Sequence, residues 1–292
     1  MSPTQFNLAV KEIRDDRQHG ASELARRALA ILAEAARTLP VADVRRLRER
    51  LAELTVELAT TRPSMAPLRN LLYRWRDGLA AIDAGMELAL ARVAAAEQAE
   101  ALIAASRQAV ADCAAQAAEL LGSRRTVMTH SFSSTVVEAC RLLKDRELRM
   151  IVTEARPLEE GRKLAERLAD WSVPTTYITD AQMGLFVAQV DAVLIGADSV
   201  LADGAVINKA GSYLLALAAR DRGVPFYVCC ESFKWRGADE PMPDLEEMAA
   251  SELDVPDWPT VTVRNVYFDL TPTRLVSAWI TETGVRWPAA EP

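Results

Sequence analysis

Histidine and cysteine are scarce in this sequence, with two histidines and four cysteines among 292 residues. No group of cysteine, histidine and carboxylate residues has the spacing of a zinc site, so we expect neither a metal site nor a cofactor. Cys229 and Cys230 are adjacent within an apolar, strand-like run. That position predicts reduced thiols in a hydrophobic core, and the same interpretation covers the other two cysteines, Cys113 and Cys140.

Long apolar runs and a basic excess are also missing. No segment is apolar without interruption for about 18 residues, the length that a membrane span requires. Residues 1–7 lack the charged start and apolar run of a signal peptide, so we expect a cytoplasmic protein without a membrane partner. A formal net charge of -7, from 34 basic and 41 acidic residues, argues against a nucleic-acid partner. The absence of a Gly-rich Walker loop argues against a P-loop nucleotide hydrolase.

The first part of the chain is rich in Ala, Leu, Glu and Arg, up to a shift in composition near Gly122. Apolar residues spaced by three and four predict an amphipathic helix, and they are Val44, Leu47, Leu51, Leu54 and Leu58. Similar patterns predict helices over residues 22–38 and 64–79, and a longer one over 84–121 that ends at Gly122. Residues 1–121 are therefore predicted to form a helical domain.

Short β-branched runs alternate with helical segments from residue 122 to 292, which predicts an α/β domain with a parallel sheet. The predicted strands cover residues 126–129, 150–153, 176–178, 192–195 and 226–229. Polar residues follow each strand at once. Because parallel strands present their carboxyl ends at one edge, these five loops predict a single ligand site there. The acidic, proline-containing segment 236–259 is predicted to run over the surface.

Several residues of these loops fit a phosphorylated ligand. Ser131, Ser133 and Ser134 lie between a strand and a helix start, where hydroxyls and amides can hold a phosphate, although serines there are more often plain N-caps. Asp198 follows a buried strand and is interpreted either as a partly desolvated acid–base group or as a cap. Lys209, next to Asn208 in an otherwise apolar run, can neutralise a phosphate, the alternative being a surface lysine.

Motifs along nearly the whole chain are similar to those of one known family. They are Arg62-Pro63-Ser64-Met65, Thr129 to Ser134, Thr153 to Pro157, Ile178 to Gly184, Gly196 to Tyr213, Pro225 to Lys234 and Phe268 to Pro272. The family joins the alpha, beta and delta subunits of translation initiation factor 2B to isomerases of ribose 1,5-bisphosphate and methylthioribose 1-phosphate. The resemblance, strongest to archaeal proteins similar to initiation factor 2B, implies an N-terminal helical domain and a C-terminal Rossmann-like domain.

The resemblance also implies roles for individual residues. In the isomerases a catalytic cysteine follows Thr-His and pairs with the Asp of Gly-Ala-Asp; those positions are Ser131 and Asp198 here. A thiol ionises near pH 8.5 whereas a serine hydroxyl needs a dedicated base, so Ser131 does not inherit the role of the cysteine. The isomerases carry Arg-Gly where this chain has His19-Gly20. The ligand-binding positions implied by the resemblance are His19, Gly20, Arg62, Ser133, Ser134, Asn208, Lys209 and Lys234.

Three functions remain open at this point. The first, which we favour, is a regulatory protein that binds a phosphorylated sugar or a nucleoside monophosphate with little turnover. The second is an aldose–ketose isomerase of a phosphorylated pentose, and the third is a protein-interaction subunit resembling the translation factor. Because members of the family dimerise through the Rossmann-like domain, we also expect a homodimer, with Phe226, Trp279, Ile280 and Trp287 as candidate interface residues. The alternative is that these apolar residues fill the core of one subunit.

Overall fold

The computed structural model describes residues 2–289 and divides into two compact units, Met1–Gln108 and Ala109–Pro292. The division falls inside one long helix, and the predicted domain boundary at residue 121 stays a prediction. Five helices occupy the first part of the chain: α1 (Pro3–Asp15), α2 (Ala21–Thr38), α3 (Val44–Ala59), α4 (Ala66–Gly78) and α5 (Leu88–Leu121). The second part contains α6 (Ser134–Leu143), α7 (Glu160–Asp170), α8 (Met183–Phe186) and α9 (Ser212–Asp221).

The N-terminal unit is held together by the apolar faces of its helices. The Asp43 side chain caps α3 by accepting from the Arg46 amide at 2.8 Å, and the predicted stripe from Val44 to Leu58 is buried throughout. Helix α2 packs against α3 and α4. Trp75 of α4 is fully buried and donates its indole N–H to the Ala95 carbonyl at 2.9 Å. The four predicted helices are confirmed within a few residues, whereas α1 was not predicted.

The C-terminal unit is built on a seven-stranded sheet. Its strands and those of a second sheet are β1 (Thr126–Thr129), β2 (Arg149–Thr153), β3 (Thr175–Ile178), β4 (Ala192–Ile195), β5 (Ser199–Val200), β6 (Val206–Lys209), β7 (Phe226–Cys229), β8 (Phe268–Thr271), β9 (Ala278–Thr281) and β10 (Gly284–Arg286). The order of the large sheet is β10-β9-β7-β4-β1-β2-β3, and every neighbouring pair from β9 to β3 is parallel. The five predicted strands and the α/β fold are therefore confirmed.

The parallel sheet is covered on both faces, which explains the unbroken apolar runs of its strands. Adjacent residues of β1 point to opposite sides, because Val127 belongs to one buried cluster and Met128 to the other. All four cysteines are free and buried, as predicted, and burial raises the pKa of the Cys140 thiol to about 12. Strands β5, β6 and β8 form a small antiparallel sheet that the sequence patterns do not predict.

The apolar residues proposed for a dimer interface are mostly internal. Phe226, Trp279 and Ile280 are at most 3% exposed and pack in the two clusters that flank the sheet, so the alternative interpretation holds for them. Trp287 is 57% exposed and packs edge-on against Tyr227. The homodimer itself stays a prediction. Among residues 2–289, none of the helices combines the length and the apolarity that a membrane span requires.

Candidate functional site at the carboxyl edge of the sheet

The strand order of the large sheet reverses between β1 and β4. The chain runs from β1 outward to β3 on one side, then returns to β4 and continues through β7 and β9 on the other. Loops after the carboxyl ends of strands at such a switch point diverge and leave a crevice for ligands. Here those loops are residues 130–133 after β1 and 196–198 after β4. They contain Ser131, Ser133 and Asp198, three of the predicted site residues.

Ser131 occupies an unusual backbone conformation directly after β1. Its φ is +68°, in the left-handed region that residues with a side chain rarely adopt, and the residue is 8% exposed. The turn directs the Ser131 hydroxyl toward the start of α7, where it donates a hydrogen bond to Oε2 of Glu160. The Ser131 hydroxyl, which needs a dedicated base to act as a thiol does, therefore has a carboxylate beside it.

Glu160 also holds the predicted phosphate-binding lysine. Its Oε1 lies 3.0 Å from Nζ of Lys209, the last residue of β6, which lies over the Tyr267 ring at 4.0 Å from the centroid. The Lys209 side chain is 5% exposed, so the alternative of a surface lysine is wrong. A single carboxylate thus bridges Ser131 and Lys209. The backbone beside it is fixed, because a Cβ on Gly161 would overlap the Thr153 carbonyl oxygen.

Lys234 forms a second buried ion pair after β7. Its Nζ lies 2.8 Å from Oε2 of Glu231, and the two side chains are 5% and 2% exposed. Thr135 of α6 donates to the other oxygen of Glu231 at 3.2 Å. Burial acts to lower the pKa of Lys234, but the Glu231 carboxylate, with a smaller contribution from Asp198, raises it above its ordinary value. Lys234 is therefore a charged, internally neutralised group.

The loops after β4 and β1, which contain Asp198 and Ser133, pack closely against each other at Gly196. A Cβ on Gly196 would overlap Oγ of Ser133, so only glycine allows the loops to approach this closely. Asp198 is half-buried, its amide donates to the Ile207 carbonyl at 2.9 Å, and its charge acts on Lys234. Its predicted acid–base role stays a prediction.

The serines at the start of α6 also fit the alternative interpretation, in which they serve only to cap the helix. Ser133 is the N-cap and accepts from the Val136 amide at 3.5 Å, a distance at the limit of a hydrogen bond. Ser134 is the first residue of the helix and is half-buried. Asn208 donates from Nδ2 to the Ser212 hydroxyl at 2.9 Å, which ties the end of β6 to the start of α9. The ligand-binding roles of these three residues stay predictions.

A buried histidine and a half-buried aspartate shape the backbone around the site. His130 donates from Nε2 to the Ala210 carbonyl at 2.9 Å, so its Nδ1 accepts from the Thr153 hydroxyl at 2.6 Å, and burial lowers its pKa. Asp269 of β8 accepts from the Gly211 amide at 2.7 Å, at the start of α9. Burial raises the pKa of Asp269 to about 6, although hydrogen bonds from backbone amides act in the opposite direction.

The remaining predicted residues lie in the N-terminal unit, where two distant loops meet. Arg62, which is buried, donates to the Asp16 carbonyl at 3.1 Å, and Nδ1 of His19 lies 2.8 Å from Oδ2 of Asp16. Burial acts to raise the pKa of Asp16, but hydrogen bonds from His19 and from backbone amides outweigh it and hold the pKa below its usual value. Gly20 is the N-cap of α2. Ligand binding by His19, Gly20 and Arg62 stays a prediction.

Sequence reasoning missed Glu160 altogether and did not identify Glu231 as the partner of Lys234. The pattern Glu-Gly at a helix start, three residues after Pro157, is the one local signal for Glu160, and it does not reveal the contact with Ser131. Within residues 2–289, no group of three or more His, Cys, Asp or Glu side chains is arranged to hold a metal ion. The side chains described at this edge form hydrogen bonds and ion pairs.

Comparison with known proteins gives one consistent family. The family model described as "Initiation factor 2 subunit family" matches residues 17–288. The chain is 33% identical to a putative translation initiation factor eIF-2B subunit 2-like protein of Pyrococcus furiosus, over 99% of this chain and 98% of the relative. It is 34% identical to a ribose 1,5-bisphosphate isomerase of Haloferax volcanii, over 96% of this chain and 87% of that enzyme. The crystal structure of Pyrococcus horikoshii translation initiation factor eIF-2B superposes with a TM-score of 0.84 at 34% identity, covering 98% of both chains.

Proposed function

The chain belongs to the initiation factor 2 subunit family, and we propose that it binds a phosphorylated sugar or a nucleoside monophosphate at the carboxyl edge of its parallel sheet. A relative with 34% identity is named a ribose 1,5-bisphosphate isomerase, which supports a sugar phosphate as the class of ligand. In this proposal the bound ligand is sensed and little of it is converted. The protein then acts as a regulatory, cytoplasmic homodimer.

The observation that carries this proposal is a pair of buried lysines, one linked through Glu160 to Ser131 after β1 and the other within reach of the Asp198 charge after β4. Lys209 and Lys234 are each 4% exposed, and each keeps its charge in the interior by pairing with a glutamate, Glu160 or Glu231. Ser131 and Ser133 lie in the loop between β1 and the start of α6, and their hydroxyls can donate to phosphate oxygens. Cations and hydroxyls on neighbouring loops are what a phosphate monoester requires.

Weak turnover follows from the residue at position 131. The hydroxyl of an unperturbed serine is a far weaker acid than a thiol, so a step in which the family's cysteine gives up or takes a proton is slow with Ser131. We therefore expect conversion of ribose 1,5-bisphosphate to be very slow or absent. Ser131→Cys restores the family's thiol at this position and is expected to raise the rate.

Isomerase activity is the second candidate, and one specific contact favours it. Ser131 donates its hydroxyl hydrogen to Glu160, so a carboxylate is in place to take the proton of the serine. In this alternative, Ser131 and Glu160 together replace the thiol, and Asp198 supplies the second acid–base group. Robust wild-type conversion of ribose 1,5-bisphosphate, abolished by Asp198→Asn, would establish the isomerase and reject the regulatory function.

Calorimetric titration tests the binding proposal. The probes are ribose 1,5-bisphosphate and adenosine monophosphate, added to wild type, Lys209→Ala and the control Lys163→Ala, which removes an exposed lysine of α7. Loss of the charge-assisted hydrogen bond in Lys209→Ala should weaken binding by about 1.5 to 3 kcal/mol, while the control leaves it unchanged. Equal affinities for Lys209→Ala and wild type would remove Lys209 from the site.

A further inference from the structure

We propose that the Glu160 carboxylate is an internal competitor for the anion-binding position, so that a ligand phosphate must displace it from Lys209 and Ser131. The inference rests on the proposed function, because it requires an anion to bind at this edge of the sheet. It adds a regulatory element to that site, because the Glu160 carboxylate occupies the position that we propose for the ligand phosphate. Affinity is then set by the competition between two anions for the same donors.

The contacts of Glu160 are those that a phosphate would make. One carboxylate oxygen accepts from the Ser131 hydroxyl, and the other lies 3.0 Å from Nζ of Lys209. Phosphate oxygens accept from hydroxyl and ammonium donors in the same way. Both donors are nearly inaccessible, with Ser131 at 8% and Lys209 at 4% exposure, so they cannot turn to meet a ligand elsewhere. An incoming anion has to come to them.

Glu160 and a phosphate cannot hold these donors at the same time. Two anions that approach the same donors repel each other, and this repulsion is stronger at the effective dielectric of a protein than in water. The Lys209 side chain is additionally held against the Tyr267 ring, with Nζ 4.0 Å from its centroid. Because the lysine is fixed on one side by this ring, the carboxylate is the group that has to move.

The Glu160 carboxylate can leave Lys209 and Ser131 without a movement of the backbone. Its side chain is 19% exposed, so rotation can carry the carboxylate into water. The main chain next to it is held, because Gly161 packs so closely on the Thr153 carbonyl that a Cβ would overlap it. Exchange of Glu160 for a ligand therefore involves a side-chain rotation at the start of α7.

The ion pair between Lys234 and Glu231 differs from the pair between Lys209 and Glu160 in the solvent exposure of its glutamate. Glu231 binds Lys234 at 2.8 Å but is 2% exposed, and Thr135 donates to its other oxygen. That carboxylate has no direct path to water, whereas Glu160 has one. Of the two pairs, the one between Glu160 and Lys209 is built for exchange.

Titration with inorganic phosphate and ribose 5-phosphate tests this inference. Glu160→Gln removes the competing charge and leaves Lys209 without its anion, so both probes should bind at least about tenfold more tightly than to wild type. Glu159→Gln is the matched control: it makes the same charge change one residue away, where the carboxylate pairs with Arg156 and Arg162 instead. The control should leave affinity within about twofold.

A second variant separates competition from damage to the fold. Glu160→Ala also removes the carboxylate and should likewise tighten binding, and thermal unfolding confirms that each variant is folded at the titration temperature. Unchanged or weaker binding in both Glu160 variants, with binding still lost in Lys209→Ala, would overturn the competitor and leave the proposed function intact. Failure of wild type and every variant to bind either probe would overturn both.

Discussion

The buried pair between Lys234 and Glu231 allows a quantitative prediction about stability. Replacing Lys234 by Met keeps most of the side chain but leaves the Glu231 carboxylate, 2% exposed, without its cation. Removing one member of a buried ion pair typically costs about 3 to 5 kcal/mol, because the remaining charge stays desolvated. Thr135 keeps one hydrogen bond to Glu231, which favours the lower half of that range. We expect Lys234→Met to lower the free energy of unfolding by about 3 kcal/mol.

The double variant tests whether the cost comes from the stranded charge. Lys234→Met with Glu231→Gln removes both charges, so it should recover most of the loss and lie within about 1 to 2 kcal/mol of wild type. Lys163→Met, an exposed substitution of the same chemistry, should change stability by less than about 0.5 kcal/mol. Urea unfolding followed by circular dichroism measures all four proteins. A loss below about 1 kcal/mol in Lys234→Met, or no recovery in the double variant, would refute this reasoning.

The pH dependence of the pair has a definite sign. Burial alone lowers the pKa of Lys234, but Glu231 raises it above the ordinary value of 10.5. A lysine whose pKa is raised in the folded state contributes stability that is complete at lower pH and is lost only as pH rises past the folded pKa. The cost of Lys234→Met should therefore be constant across the neutral range and shrink above about pH 10.5. This separates the pair from groups that titrate near neutrality.

Three further predictions concern packing, pH and assembly. Gly196→Ala should destabilise the protein by about 1 to 3 kcal/mol, because its Cβ would overlap Ser133 Oγ. The control Gly184→Ala, with open space around it, should not destabilise the protein. Equal melting temperatures for the two variants would contradict this prediction. The pKa of Asp269 rises from 3.8 to about 6 on folding. Between those pH values, the free energy of unfolding of wild type relative to Asp269→Asn should therefore fall by up to about 3 kcal/mol as pH rises. A difference in urea unfolding that stays constant with pH would be inconsistent with the raised pKa of Asp269. Light scattering at micromolar concentration should return about twice the chain mass of 32.0 kDa, and the monomer mass would reject the homodimer.

Much of the fold follows from local patterns in the sequence. The stripe from Val44 to Leu58 and the apolar run of residues 192–195 identify a helix and a strand because their side chains face a core along their whole length. Strand β5 has two residues, which is too short for a periodic pattern, and β6 pairs with β8 from a distant part of the chain. Helix α1 was not predicted either, although Ser2 and Gln5 form a capping box at its start.

The site was predictable to the extent that it lies where parallel strands end. Ser131, Asp198 and Lys234 directly follow or closely follow strands β1, β4 and β7, and topology brings such residues to one edge. Glu160 could not be predicted, since it lies 29 residues from Ser131 along the chain and meets it only through the left-handed turn at that serine. A positive φ at a residue other than glycine leaves no signature in the sequence.

The two lysines of the site look alike in the sequence, and the structure assigns them different physical situations. Each has a glutamate partner at 3.0 or 2.8 Å, but Glu160 is 19% exposed and Glu231 is 2% exposed. An ion pair with a carboxylate that reaches water can open at modest cost, whereas one sealed from water opens only with the surrounding structure. Substitution of Lys209 should therefore appear mainly in ligand affinity and substitution of Lys234 mainly in the free energy of unfolding. If the two variants showed the same balance of effects, solvent access to the glutamates would not be what distinguishes the pairs.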